Sequence, residues 1–321
     1  MLMRCLLALA FAAPCRALTV HRAGSLARRL TVRHLSPLPN GINQYDVNAG
    51  MRANPLAAVR EKALGAINLA LANNVTLGEV EFPPLLGTKT EFDDVDNVQI
   101  LNANSDWAME LAAPLARELG ESLWLAFADR KELEVAREAW PGRAFTTATL
   151  STIEDSAAAL GAPVDRPWGS QFAEAAENLL GTKKLGAVPE MAKAPKPRLI
   201  VAVQPGDGGP IEDWLNLERC ETDGALLIST NGAFDKLRGG AYPRIIFPKL
   251  ADSVARFIVR FETLYYLKPI SNKGRSAWLF RVYPEPWQLV QQRREDTALV
   301  ATFEERPTFA EVLRLMATCP P

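Results

Sequence analysis

Histidine is nearly missing from this chain: among 321 residues only His21 and His34 carry an imidazole. Both lie in an amino-terminal stretch that reads as a removable presequence, so the expected mature chain has none. That excludes Ser-His-Asp and Cys-His nucleophile systems and His-ligated zinc or iron sites. Cysteine is almost as scarce. Of four, only Cys220 and Cys319 follow the presequence, too few for a tetrathiolate site or a disulfide framework; they read as a small buried hydrophobe and a near-terminal thiol. No apolar run approaches the length of a membrane span, so a soluble or at most peripherally membrane-attached body is expected. Acidic residues are absent before Asp46.

What is present before Asp46 has two parts. Met1 to Arg4 form a basic start, Cys5 to Ala13 a short apolar run, and Cys15-Arg16-Ala17 place small residues where a signal peptidase needs them. Residues 1–17 therefore read as a signal peptide. Leu18 to Leu35 hold arginines, histidines and hydroxyl residues without one carboxylate, the character of a transit peptide, and residues 18–50 read as such a segment with a linker. Signal followed by transit segment resembles the bipartite presequences of algae whose plastids lie inside extra membranes. The expected address is the plastid, stroma or thylakoid surface; secretion is the alternative. Of 36 Lys and Arg, six arginines precede Ser36, which leaves 30 against 37 Asp and Glu and a formal charge of −7. Such a body lacks the clustered cations that nucleic acid requires.

Residues 51–321 read as one α/β domain. Helical periodicity runs from Asn54-Pro55 to Asn73-Asn74, and Glu79 to Phe82 form a short strand of alternating polarity stopped by Pro83-Pro84. Asp93, Asp94 and Asp96 crowd a loop but lack the glycine and bidentate glutamate of a calcium loop, so no metal is expected. Ser105 and Asp106 precede a helix ended by Gly120. Leu123 to Ala128 form a buried strand, and Asp129 follows it where a functional carboxylate of an open α/β sheet stands. Asp129 with Glu132 equally fits a helix cap. A strand is read at Phe145 to Thr147, a helix at Ile153 to Leu160, another at Gln171 to Leu180, then a basic connector over 182–197.

Arg198 to Val203 form the next buried strand, followed by a turn containing Gly206, Gly208 and Gly209 and by a helix from Ile211 to Arg219. A glycine-rich strand-to-helix turn has the geometry that cradles phosphate; a flexible turn explains the same glycines. Gly224 to Thr230 form a further strand. Near Ile245 the pattern changes to successive strands. Phe257 to Val290 form the strongest strand signal, a hairpin around Ser271-Asn272-Lys273-Gly274, and Phe309 to Met316 form a closing amphipathic helix. The fold class is α/β: a mainly parallel, helix-covered, Rossmann-like sheet extended by an antiparallel C-terminal hairpin.

Glu81-Phe82-Pro83-Pro84, Phe127 with Asp129, Phe261 with Tyr265 and Pro269, and Arg281 with Tyr283-Pro284 and Pro286-Trp287 together resemble a family of plastid and cyanobacterial proteins catalogued as a domain of unknown function. It includes the "low photosystem II accumulation" type of assembly factor, and a similar domain is appended to some plastid adenylate kinases. Ala128 departs from the proline that related sequences tend to carry. The resemblance implies a plastid protein with protein partners, photosystem subunits among them, and transfers no catalytic residue. The expected function is a non-enzymatic assembly or interaction factor without cofactor, with Tyr265, Arg281, Tyr283 and Trp287 as candidate interaction surface. The alternative is a nucleotide- or phosphometabolite-binding protein or enzyme using Asp129, Gly206, Gly208 and Gly209. On the bland reading, the four hairpin residues are core aromatics and a paired arginine.

Overall fold

A computed structural model describes residues 18–19, 35–39, 55–83, 97–140, 147–163, 165, 191–206, 211–293 and 296–319. The continuous apolar runs become central strands. β3 (Leu123–Phe127), β5 (Leu199–Val203) and β6 (Leu226–Thr230) are buried at every position, as strands covered on both faces must be. β5 pairs in parallel with β3 and β6, β3 with β4 (Thr149–Thr152), and β6 with β2 (Leu77–Glu81), which in turn pairs in parallel with the start of β7 (Glu262–Asn272). Beyond β7 the sheet turns antiparallel through β8 (Arg275–Val282), β9 (Trp287–Gln292) and β10 (Thr297–Phe303). A two-residue strand, β1 (Leu18–Thr19), lies parallel to β10. The order is β1-β10-β9-β8-β7-β2-β6-β5-β3-β4, which is the α/β, mainly parallel sheet with an antiparallel C-terminal extension that the sequence predicts.

Helices α1 (Pro55–Ala72), α2 (Asn97–Leu119) and α3 (Arg130–Ala139) cover one face, packing Ile67, Leu111 and Leu133 against Val80, Leu125 and Val201. The other face is covered by α4 (Ile153–Ala159), α5 (Glu212–Arg219), α6 (Phe234–Arg238) and α7 (Pro248–Arg256), with Trp214, Leu217 and Leu250 on Ile200 and Leu227. A third core lies under α8 (Phe309–Thr318), around Leu279, Leu289 and Met316. Each of these buried side chains stabilises the fold by about 2 kcal/mol. Cys220 and Cys319 are both buried, and burial pushes the Cys220 thiol up to about 12. Among the described residues no helix is long and apolar enough to cross a membrane.

The expected hairpin is a four-stranded meander. Phe257 sits in the core below α7, Ile258–Arg260 form a 3-10 turn, and β7 opens only at Glu262. The β7–β8 turn is just Lys273 and Gly274, with φ of +49° and +77°, the two-residue geometry whose twist matches that of its strands. Trp287 to Val290 do not continue the second strand. Glu285 N donates to the Val282 carbonyl (2.8 Å) and Arg281 Nε to the Glu285 carbonyl (3.0 Å), so the prolines make a turn and Trp287 opens β9.

Helix α2 begins at Asn97, so Ser105 and Asp106 lie inside it and do not precede it: Asp106 accepts a bond from Trp140 Nε1 (2.9 Å), and buried Asn104 bonds to Gln204 and Asn231. After Ile245 the chain forms α7, with Pro248 at its first position, before any strand. The strand expected at Phe145 to Thr147 lies at Thr149–Thr152, at the edge of the sheet. The Asp93 to Asp96 loop, the Gln171 to Leu180 helix and most of the connector at 182–197 lie outside the described residues.

Candidate functional site

Strands β3 and β5 are neighbours, and the chain leaves them in opposite directions. From β3 it passes through α3, on one face, to the edge strand β4; from β5 it passes through α5, on the other face, to β6. Ligands of open α/β sheets bind where the connections part, outside the carboxyl ends of the strands.

From the β3 side come Asp129 and Glu132. Asp129 is the N-cap of α3, its Oδ1 accepting the Glu132 N–H at 2.8 Å, while the Glu132 carboxyl accepts the Ala128 N–H, a reciprocal arrangement that satisfies donors at the helix start. From the β5 side come Gln204, Gly206 and Asp213. Gln204 has φ +50° and Gly206 φ +72°. A Cβ added to Gly206 would stand 2.3 Å from the Trp214 ring, so glycine is required for both its φ and the close approach. Trp214 Nε1 in turn donates to the Gly232 carbonyl at 2.9 Å, joining the ends of β5 and β6. In the first turn of α5, the Asp213 carboxyl accepts the Gly206 N–H.

Three buried amides stiffen the strand ends behind this point. Asn231 Nδ2 donates to Asn104 Oδ1 (2.5 Å), Asn104 Nδ2 to Gln204 Oε1 (2.6 Å), and the Phe82 N–H to Asn231 Oδ1 (2.9 Å). Asn231 also has a positive φ, +48°. Left-handed backbone at non-glycine residues concentrates at functional sites.

The electrostatics are one-sided. Burial pushes the Asp213 carboxyl up to about 7, and although the Gly206 N–H opposes this, Glu132, Asp129 and Glu212 add to it. Burial, then Asp129, lifts Glu132 to about 7 as well. Asp213 Oδ2 is enclosed without a hydrogen-bond partner. The nearest arginine in sequence, Arg130, pairs with Asp155 at 3.4 Å. The arrangement suits a proton or a cation and repels phosphate, because the Gly206 N–H is already occupied by a carboxylate and the surrounding charge is negative. Among the described residues no three His, Cys, Asp or Glu side chains are grouped to hold a metal ion.

A second charged cluster, under α6 and α8, is fully paired. Glu79 on β2, only 1% exposed, takes both oxygens to Arg238 (2.8 and 3.0 Å) and also receives Arg306 (3.0 Å) and Thr263 (3.1 Å). Asp235 receives Arg306, Lys268 (2.7 Å) and the Tyr266 hydroxyl (2.5 Å). Burial pushes the Asp235 carboxyl up, but Arg306 and Lys268 outweigh it and hold it at about 2. Arg306 also lies over the Tyr266 and Trp287 rings, at 4.6 and 5.0 Å.

Of the predicted ligand residues, Asp129 and Gly206 are brought to one site, just past the ends of neighbouring strands; Gly208 and Gly209 lie outside the described residues. The predicted surface of Tyr265, Arg281, Tyr283 and Trp287 does not form. Tyr265 and Trp287 are core residues, Arg281 pairs with Glu262 at 2.6 Å, and half-buried Tyr283 accepts a bond from Asn73 at 3.1 Å. Tyr265 lies in the core under α1 to α3, with Tyr283 packed against it, and Trp287 lies in the core under α8, so the rings serve packing. Sequence reasoning missed Asp213, whose only signal is an acid in a helix's first turn, and the buried role of Glu79, which alternation placed on a half-exposed strand.

The chain belongs to the family described as Domain of unknown function (DUF1995), whose profile matches residues 55–314. No curated protein matches it.

Proposed function

We propose that this DUF1995 protein is a non-enzymatic plastid factor that docks on a protein of the photosynthetic apparatus through its Tyr242–Phe247 loop. The observation that carries this reading is a pair of large aliphatic side chains held in solvent: Ile245 is 97% exposed and Ile246 67%. The loop that carries them is anchored. The Ile246 and Phe247 amides both bond to the Pro243 carbonyl (3.0 and 2.9 Å), and Tyr242 packs edge-on against Trp214 and Phe247 at 5.2 and 5.3 Å. Adjacent isoleucines on a fixed turn do not serve the core, and burying both in a partner's pocket supplies about 4 kcal/mol. Protein suits this tip better than lipid. The flanking cations Arg244 and Lys249 are already paired with Asp252 (2.8 Å) and Asp165 (3.1 Å), whereas a lipid-facing tip keeps its cations free for anionic headgroups.

The plastid address rests on the two-part presequence, and the photosynthetic partner on the resemblance to assembly factors. The test is native electrophoresis of solubilised thylakoids with identification of co-migrating subunits. The wild type is expected in a high-mass band with photosystem subunits, and Ile245→Asp/Ile246→Asp at the free position with an unchanged melting temperature. A wild type that migrates only as free protein overturns the reading. The negative charge around Gly206 disfavours the phosphate-ligand alternative.

A further inference from the structure

We propose that the switch point between β3 and β5 binds a small organic cation, an ammonium or guanidinium group held between Asp213 and Glu132 with Asp129 at the mouth. The inference is independent of the docking loop and rests on three observations. The first is topological: the oppositely directed connections of β3 and β5 place a ligand position outside their carboxyl ends. The second is the grading of the carboxylates. Asp129 is exposed, Glu132 half-buried and Asp213 only 7% exposed, so negative charge leads from solvent into the fold.

The third observation is what Asp213 lacks. One interaction, the Gly206 N–H, supports its carboxylate; Oδ2 is enclosed and unpartnered, which is costly for a buried polar atom. The charged groups that act on it, Glu132 and Asp129 from α3 and Glu212 from α5, are all negative. Buried Glu79 and half-buried Asp235, by contrast, are each matched by arginine. A ligand N–H cation supplies at the switch point what Arg238 and Arg306 supply there. An organic cation fits better than a metal ion, since a hard divalent ion needs six or more converging oxygen ligands or bound waters and the described acidic side chains do not group for one. Donor-rich N–H groups need only two carboxylates at hydrogen-bond range.

The test uses the full chain in calorimetric titration and thermal-shift assays with putrescine, spermidine, agmatine and arginine at pH 8, with magnesium chloride, calcium chloride and potassium chloride at matched ionic strength. At least one organic cation is expected to bind saturably, to raise the melting temperature, and to bind at least tenfold more weakly at pH 5.5, where Asp213 and Glu132 hold protons. Asp213→Asn is expected to weaken that binding at least tenfold while melting no lower than the wild type. Absence of binding by all four organic cations overturns the proposal. So does equal binding by Asp213→Asn, an equal shift with potassium chloride, or saturable binding by the divalent metals alone.

Discussion

Two groups of carboxylates, each built around one buried acid, stand on this sheet, and their surroundings separate them. At Glu79 and Asp235 every acid is met by a cation, two arginines and a lysine closing a network across β2, β7, α6 and the segment before α8. At Asp213 and Glu132 no described cation answers the charge, and one oxygen has no partner. The same functional group is driven in opposite directions, Asp235 down to about 2 and Asp213 up to about 7. Pairing fixes geometry and consumes binding capacity; an unpaired acid at a strand end retains it.

The largest expected effect comes from breaking the paired side. Arg306→Met leaves Glu79 short of one donor and Asp235 of its closest cation, and removing one partner of a buried ionic network destabilises by about 4 kcal/mol. Chemical denaturation measures it; a loss below about 1 kcal/mol means that water already screens the network. On the unpaired side, Gly206→Ala tests the wall of the site. Its Cβ meets the Trp214 ring and its φ is unfavourable to alanine, which together cost about 3 kcal/mol. The damage should appear as a change in Trp214 fluorescence as well as in stability.

The two clusters differ too in how far the sequence announces them. The apolar runs of β3, β5 and β6 name the central strands directly, and Asp129 with Glu132 spells out the cap of α3. Asp213 carries no such mark, because an acid in a helix's first turn is ordinary. Its meaning depends on β3 being the neighbour of β5, a long-range pairing that no local pattern encodes. Glu79 fails for the converse reason: alternation says half-exposed, whereas Arg238 and Arg306, 159 and 227 residues further along, make burial tolerable. Tyr265 and Trp287 carry the family resemblance and yet sit in the core.

A smaller effect follows from proton linkage. Asp213 and Glu132 have raised values in the folded state, so between their ordinary range and about 7 the folded chain holds protons that the unfolded chain has released. Their contribution therefore falls as pH rises through that window and stays low above it. Asp235 does the reverse, contributing fully above its ordinary value and losing that contribution as pH falls toward 2. Asp213→Asn removes a buried charge and, with it, the smaller repulsion from Glu132, Asp129 and Glu212, and it should stabilise the unliganded chain by about 2 kcal/mol at pH 8 and by almost nothing at pH 4. Thermal melts at the two pH values measure the difference, and a variant destabilised equally at both shows that the carboxylate is structural.

The smallest effect separates capping from charge at Asp129. Asp129→Ala removes the acceptor for the Glu132 N–H and should cost about 1 kcal/mol at any pH above the carboxylate range. Asp129→Asn keeps an acceptor at the N-cap and removes the charge, so stability should hardly change while Glu132 loses one of the influences that raise it. Carboxyl-resolved NMR titration reads that shift as a downward move of the Glu132 midpoint from about 7. If Asp129→Asn leaves the midpoint where it was, burial alone raises Glu132, and Asp129 belongs with the capped helix and not with the acids of the switch point.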